Sequence, residues 1–321
     1  MDATPSFHLP AGAESGLPDG PLAPLTMRGR TFHWGSRTYL MGIVNVTPDS
    51  FSGDGLLRGG DASIAGDAGD AEDAPHVRAA VAQGRRMAEE GADILDVGGE
   101  SSRPGHRPVD GSEELRRVVP VVRGLRAALP DMPLSIDTIK RDVAEAALEA
   151  GADMINDVWG VGPDDDLARC AAERGVPYAL MHNRAEPRYG NLMAEILAEL
   201  HAAVERAIRL GVHPTRIVID PGVGFGKTPQ HNLHLLANLR DLKLLGRPIL
   251  LGTSRKSTIG KVLDLPAAER LEGTLATTAL AAQAGVDVVR VHDVAGNRRA
   301  ARMADAITRG GIIGPHGWQP A

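Results

Sequence analysis

The chain has 321 residues, of which 43% are hydrophobic and 3% aromatic, and its formal net charge is −6 at pH 7. This charge argues against a general binder of nucleic acids or membrane surfaces, although it leaves room for a local basic pocket. The single cysteine, Cys170, excludes a disulfide framework or a cysteine metal site within one chain.

The first 30 residues contain five prolines and lack the basic start and apolar core of a signal peptide. No apolar run approaches the roughly 20 residues that a membrane span requires. The sequence therefore predicts a cytoplasmic protein with a flexible, poorly ordered amino-terminal extension over residues 1–34.

From Thr38 onward, short apolar runs alternate with helical patterns. The predicted strands cover residues 39–46, 94–97, 134–136, 154–155, 178–181, 217–219, 249–251 and 288–291. The predicted helices cover residues 76–90, 113–129, 141–150, 164–174, 191–210, 230–245, 267–284 and 295–307. Eight strand-helix units favour a (β/α)8 TIM barrel over residues 35–312, with a doubly wound open sheet as the alternative. We also expect a mobile insert at about residues 56–74 and a tail at 313–321.

The sixth predicted strand ends at Asp220, and a glycine-rich loop follows it. Gly226, Lys227 and Thr228 have the order found at the end of a nucleotide-binding P-loop. That motif also requires a glycine where this chain has Pro221, so a nucleotide cradle is disfavoured. In a barrel the chemistry lies at the carboxyl ends of the strands, and the residues there indicate the function.

Three hydrogen-bond acceptors end strands three, four and six of the predicted barrel: Asp137, Asn156 and Asp220. Each alone could be a helix cap. Together on one arc they suit a flat heterocycle that presents several N–H donors along one edge, such as a 2-amino-pyrimidinone. His182, which ends strand five, is a candidate wall of the same pocket.

A second group of residues suits an anion. Arg290 and His292 are two positions apart on the last strand, so their side chains point to the same face. Asn45 ends the neighbouring first strand and offers a neutral oxygen to Mg²⁺, which binds through few protein ligands and phosphate oxygens. We interpret this group as a diphosphate and magnesium site.

Seven ordered motifs make the chain similar to dihydropteroate synthases, the folate-pathway enzymes inhibited by sulfonamides. They are MGIVNVTPDSF (41–51), DVGGESSRPG (96–105), SIDT (135–138), IND (155–157), DPGVGF (220–225), SRKS (254–257) and RVHDV (290–294). The resemblance covers residues 39–307. It implies condensation of (7,8-dihydropterin-6-yl)methyl diphosphate with 4-aminobenzoate to 7,8-dihydropteroate and diphosphate.

The resemblance also assigns roles to individual residues. It implies that the pterin is bound by Asp137, Asn156, Met181, Asp220 and Lys256. It implies that the diphosphate is bound by Asn45, Arg290, Val291 and His292, with Asn45 as the ligand of the Mg²⁺ cofactor. It implies that the 4-aminobenzoate site is formed by Ser102, Arg103, Pro104, Phe225 and Ser257. Members of the family are usually homodimers that join through helices late in the barrel.

The chemistry favours an SN1-like substitution, because a neutral aniline needs no strong general base and the leaving diphosphate needs cations. One alternative is a barrel that transfers a methyl group from methyltetrahydrofolate, which would not need the diphosphate group. The other is a catalytically silent paralogue that binds a pterin.

Overall fold

The computed structural model describes residues 22–46, 74–100, 109–160, 162, 164–314 and 317–320. The barrel strands are β3 (Tyr39–Asn45), β4 (Ile94–Gly98), β5 (Leu134–Asp137), β6 (Met154–Asp157), β7 (Tyr178–Met181), β8 (Ile217–Asp220), β9 (Leu250–Gly252) and β10 (Val288–Val291). The α-helices are α1 (Pro75–Glu90), α2 (Gly111–Ala128), α3 (Arg141–Ala150), α4 (Asp166–Arg174), α5 (Leu192–Arg209), α6 (Pro229–Ala237), α7 (Ser257–Leu263), α8 (Leu271–Ala284) and α9 (Val294–Thr308). Short hairpins, β1 (Leu25–Met27) with β2 (Arg30–Phe32) and β11 (Ile312–Gly314) with β12 (Gly317–Gln319), precede and follow the barrel.

The eight strands form one parallel sheet in the order β8-β7-β6-β5-β4-β3-β10-β9. The sheet closes between its two end strands, where Ile219 pairs with Ile249 and its N–H donates to the carbonyl of Pro248 at 2.9 Å. The predicted TIM barrel is thereby confirmed, and the open-sheet alternative is wrong.

The strand register places the carboxyl ends of four neighbouring strands at one level. Asn45 pairs with Gly98, Gly98 with Asp137, and Asp137 with Asn156. Because side chains alternate along a strand, residues two positions apart point to the same face, and these four positions face the barrel interior at its mouth.

The amino-terminal hairpin covers the opposite end of the barrel. Leu25, Met27, Phe32 and Trp34 are buried against apolar side chains from the starts of the strands. The sequence assigned residues 1–34 to a poorly ordered extension, but residues 22–34 are ordered because their alternating apolar side chains cover the barrel floor. Residues 1–21 lie outside the described part of the chain.

The last third of the chain departs from the predicted helices. The single helix expected at 230–245 is divided into α6 and a 3₁₀ helix, Leu239–Leu245. Asn238 divides them, because its side-chain amide donates to the carbonyl of His234 at 2.7 Å and so competes with the helical pattern. Helix α7 lies in a segment predicted as loop, and α8 begins four residues later than expected. Among the described helices, none is both long and apolar enough to cross a membrane.

Candidate active site

The predicted acceptors do come together at the mouth of the barrel. Asp137 and Asp220 are the last residues of β5 and β8, Asn156 is the next-to-last residue of β6, and each is less than 8% exposed. One carboxylate oxygen of Asp220 accepts a hydrogen bond from the N–H of Gly222 at 2.7 Å. Met181, at the end of β7, is buried and pairs in register with Asp220. These residues form an acceptor-rich arc with an apolar member, which suits a flat polar ring.

A buried charge network joins this arc to the opposite wall. The guanidinium of Arg290 donates from Nε to Oδ2 of Asp96 at 2.6 Å and from Nη2 to Oδ2 of Asp137 at 2.6 Å. Asn156 donates from Nδ2 to the same Asp96 oxygen at 3.1 Å. Asp96 was not among the site residues predicted from the sequence. The sequence feature that could have identified it is a lone acid inside an apolar strand, β4. Asp96 lies two positions from both Ile94 and Gly98, so it faces the barrel interior as they do.

Burial shifts the pKa values of the charged groups at the mouth. It raises the pKa of Asp137 to about 7, although the positive charge of Arg290 acts in the opposite direction. It also raises the pKa of Asp220, against the influence of Lys256. Burial alone would lower the pKa of Arg290, but Asp96 and Asp137 together raise it above its ordinary value. Arg290 is therefore a permanent cation in contact with Asp137, an acid that is protonated more readily than usual.

The other predicted anion-binding residues have different surroundings. His292 lies just beyond β10, where its Nδ1 is 3.0 Å from the hydroxyl of Ser254, and that hydroxyl also accepts the His292 N–H at 3.2 Å. The side chain of Val291 is buried in the layer between the strands and the helices. Only the main chain of Val291 can therefore face a ligand at the mouth.

Lys256 and Phe225 meet between the loops that follow β8 and β9. The Lys256 ammonium lies 4.5 Å from the centre of the Phe225 ring and donates to the carbonyl oxygen of Val223. Burial lowers the pKa of Lys256 to about 8, with Asp220 opposing the change. Ser257 is exposed at the first position of α7. An aromatic face, a cation and a hydroxyl thus border the mouth near Asp220.

The glycine-rich loop after β8 turns tightly against the loop after β7. Gly222 has φ +69°, and a Cβ there would lie 1.9 Å from the carbonyl oxygen of His182. The ammonium of Lys227 is 2.9 Å from Nδ1 of His182, and it donates to the carbonyls of Gly222 at 3.0 Å and Phe225 at 3.1 Å. Lys227 therefore anchors the turn that presents Phe225, which agrees with the rejection of a nucleotide cradle.

His182 is wholly buried and does not line the pocket, contrary to the prediction from the sequence. Burial, and next the charge of Lys227, lower its pKa to about 3. The imidazole is neutral at neutral pH, with Nδ1 facing Lys227 and Nε2 lying 3.1 Å from the carboxylate of Glu199. Its role is to support the glycine-rich loop.

Comparisons with known proteins identify the family. The family model for pterin-binding enzymes matches residues 41–292. A dihydropteroate synthase from Clostridium beijerinckii is 49% identical over 281 residues, which cover 87% of this chain and 98% of that protein. This chain belongs to the dihydropteroate synthase family.

A solved structure supports the same assignment. Dihydropteroate synthase from Clostridium difficile, determined in the presence of pteroic acid, is 49% identical and superposes with a TM-score of 0.78. The alignment covers 87% of this chain and 99% of that one. The family also includes a Mycobacterium tuberculosis protein named inactive dihydropteroate synthase 2, which is 41% identical over 85% of this chain and 84% of its own length.

The surroundings of Asn45 bear on its predicted role as a magnesium ligand. It is half-buried at the end of β3, and a Cβ built at Gly98 would lie 3.8 Å from its Oδ1 and 3.6 Å from Oδ2 of Asp137. The described residues contain no group of three or more His, Cys, Asp or Glu side chains that could hold a metal alone. A single amide oxygen at the end of β3 fits a cation that takes most of its ligands from a diphosphate and water.

Part of the expected site lies outside the described residues. This applies to three of the predicted 4-aminobenzoate residues, Ser102, Arg103 and Pro104, and to most of the expected insert at 56–74.

Proposed function

We propose that the chain catalyses the dihydropteroate synthase reaction, in which (7,8-dihydropterin-6-yl)methyl diphosphate and 4-aminobenzoate give 7,8-dihydropteroate and diphosphate. The observation that carries this proposal is the meeting of an acceptor arc and a permanent cation at one mouth, with Arg290 in contact with the acid Asp137. A substrate whose ring carries N–H donors would match the acceptor arc, and a diphosphate attached to that ring would match the cation.

The pterin would bind to the arc through its N–H edge. Asp137, Asn156 and Asp220 offer acceptors from three strands, and a rigid barrel holds them in fixed positions. Asp137 accepts a hydrogen bond from Arg290. Pterin binding would replace that bond with one from the ring and release an Nη group of Arg290 towards the diphosphate.

Bond breaking would then precede bond formation. The bond between the pterin methylene carbon and the diphosphate oxygen breaks, and its electron pair leaves with the diphosphate. Arg290 and His292 would stabilise the leaving anion. Asn45 would hold Mg²⁺, which when bound neutralises charge on the diphosphate oxygens. Asp137 and Asp220 would stabilise the developing positive charge and keep the ring aligned.

The amine of 4-aminobenzoate would form the new C–N bond and afterwards lose a proton to solvent. The aniline is neutral at pH 7, so no strong base is required. Phe225, Lys256 and Ser257 border the space proposed for its ring and carboxylate. We assign Ser102, Arg103 and Pro104 to the same subsite on the resemblance of their motif.

A catalytically silent pterin-binding paralogue is the second candidate, favoured by one observation. The family includes a relative named inactive that is 41% identical to this chain. Against this candidate, the chain keeps Asn45, Lys256, Arg290 and His292. The methyltransferase alternative is less favoured, because the 49% identical relative is named a dihydropteroate synthase.

Steady-state release of diphosphate separates these candidates. The purified chain should release diphosphate only when both substrates and Mg²⁺ are present, and a chelator should stop the release. The variant Arg290→Met provides the background rate. If wild type and variant give the same rate with both substrates present, the silent paralogue is the better account.

We also propose that the chain forms a homodimer. Helices α8 and α9 pack against each other and expose Leu280, Met303 and Ile307, which are 52%, 62% and 72% exposed. Apolar side chains exposed on two adjacent helices are suited to an interface. Light scattering should give twice the chain mass, and Met303→Lys should shift it towards the monomer. A monomeric wild type would contradict the dimer. The cytoplasmic location stays a prediction.

A further inference from the structure

Asp96 is a wholly buried acid that touches residues of both proposed subsites. Its Oδ2 accepts hydrogen bonds from Nε of Arg290 at 2.6 Å and from Nδ2 of Asn156 at 3.1 Å. Arg290 belongs to the proposed diphosphate subsite and Asn156 to the pterin subsite. Asp96 is thus placed to set the orientation of both side chains.

The orientation of Asn156 follows from the chemistry of this contact. An ionised carboxylate can only accept hydrogen bonds, so the amide of Asn156 must turn its NH₂ group towards Asp96. With Nδ2 directed to Asp96, the carbonyl Oδ1 is left as the acceptor for a ligand. Without the carboxylate, the amide could rotate and present donors to a ring edge that also consists of donors.

The orientation of Arg290 follows in the same way. Its Nε is held by Asp96, and its Nη2 reaches Asp137. If Asp137 exchanges Arg290 for a pterin, the bond to Asp96 still fixes the inner edge of the guanidinium. The Nη groups are then free to turn towards the diphosphate while the side chain stays anchored.

Stability alone gives a poor account of Asp96. Its second oxygen, Oδ1, has no hydrogen-bond partner among the described residues, and neither has the neighbouring hydroxyl of Ser135. A buried carboxylate with unsatisfied acceptors is costly, and apolar residues in place of a buried ion pair are often neutral or stabilising.

We propose that Asp96 is a positioning residue, which makes Asn156 an acceptor for the pterin edge and anchors Arg290 for the diphosphate. This inference rests on the proposed function, because it concerns the same pocket. Asp96 itself is not expected to touch the reacting atoms.

Asp96→Asn tests the inference through binding rather than turnover. Titration calorimetry with 6-hydroxymethylpterin should show binding weakened by about 10- to 100-fold, the range expected for a lost hydrogen bond to a charged group. In steady state, the KM for 4-aminobenzoate should stay within about twofold of wild type. Asp93→Asn is the matched control, because Asp93 pairs with Arg37 at the other end of the barrel. It should lower the melting temperature without changing pterin affinity.

An exchanged pair gives a second measurement, whether or not Asp96→Asn folds well. In the single variant Asn156→Asp, the new carboxylate at position 156 faces the carboxylate of Asp96, and this variant should bind the pterin weakly. In the double variant Asp96→Asn, Asn156→Asp the amide donates to the carboxylate again, and an oxygen again faces the ligand. Pterin affinity should recover at least tenfold over the Asn156→Asp variant.

Two results would overturn the inference. They are an Asp96→Asn variant that binds the pterin as wild type does, and an exchanged pair no better than Asn156→Asp. A wild-type chain that fails to bind 6-hydroxymethylpterin would instead overturn the proposed function itself.

Discussion

Replacing Lys256 with Met should separate the function of this residue from its effect on stability. The ammonium lies over the ring of Phe225 and donates to the carbonyl of Val223, at a position where burial lowers its pKa from 10.5 to about 8. Between these two pH values the unfolded chain keeps a proton that the folded chain releases. The energetic cost of burying the protonated Lys256 therefore decreases as pH rises from 8 to 10.5, and the free energy of unfolding of wild type increases.

The size of this effect follows from the pKa difference. A shift from 10.5 to about 8 corresponds to an upper limit of about 3 kcal/mol in the free energy of unfolding. The methionine variant lacks the titrating group and should not show this gain. Relative to the variant, wild type should become more stable by up to about 2 kcal/mol between pH 7.5 and 10, because this window covers most but not all of the interval between the two pKa values.

Urea unfolding of both proteins at several pH values measures this change, and diphosphate release at pH 7.5 measures activity. The variant should lose most of its turnover while it stays folded. Lys261→Met is the control, because Lys261 is exposed on the same helix α7 and its removal should leave both quantities near wild type. A stability difference that does not change with pH would refute the burial of Lys256. A fully active variant would refute its place in the pocket.

Three other substitutions test separate parts of the structure. Gly222→Ala should lower stability by about 2 kcal/mol or more and remove most activity, because its Cβ would overlap the carbonyl of His182. Gly29→Ala is the control: Gly29 also has a positive φ but open space around it, so this variant should keep its activity. Equal losses of activity in the two variants would contradict this prediction. Lys227→Met removes the anchor of the turn that presents Phe225. The KM for 4-aminobenzoate should therefore increase by a larger factor than the Kd for the pterin. A larger increase in the Kd for the pterin would count against Lys227 as the anchor of this turn. Trp34→Ala uncovers the barrel floor and should cost about 3–5 kcal/mol in urea unfolding with both KM values unchanged; a change confined to KM would argue against a purely structural hairpin.

The barrel could be predicted because its signals are local. Each strand is a short apolar run followed by a helical pattern, and polar residues such as Asp137 and Asp220 stand where the runs end. The amino-terminal hairpin was missed because its strands have three residues each and follow a proline-rich segment. Helix α7 was missed because it has only seven residues within a stretch of loop-forming residues.

The charge network could not be predicted, because it depends on how the barrel closes. Arg290 on the last barrel strand reaches Asp137 on the third, 153 positions away in the chain. Asp96 reads in sequence as one acid inside an apolar run. Only the register of neighbouring strands shows that it faces the interior beneath Asn156. Sequence motifs indicated which residues form the mouth, whereas the partners of those residues required the fold.

The central claim is that this chain joins a pterin to 4-aminobenzoate. The most direct measurement is mass spectrometry of a reaction that contains the dihydropterin diphosphate, Mg²⁺ and isotopically labelled 4-aminobenzoate. We expect a product with the mass of 7,8-dihydropteroate that carries the label and forms in equal amount with diphosphate. Diphosphate released without any labelled product, or no product at all from a folded chain that binds the pterin, would contradict it.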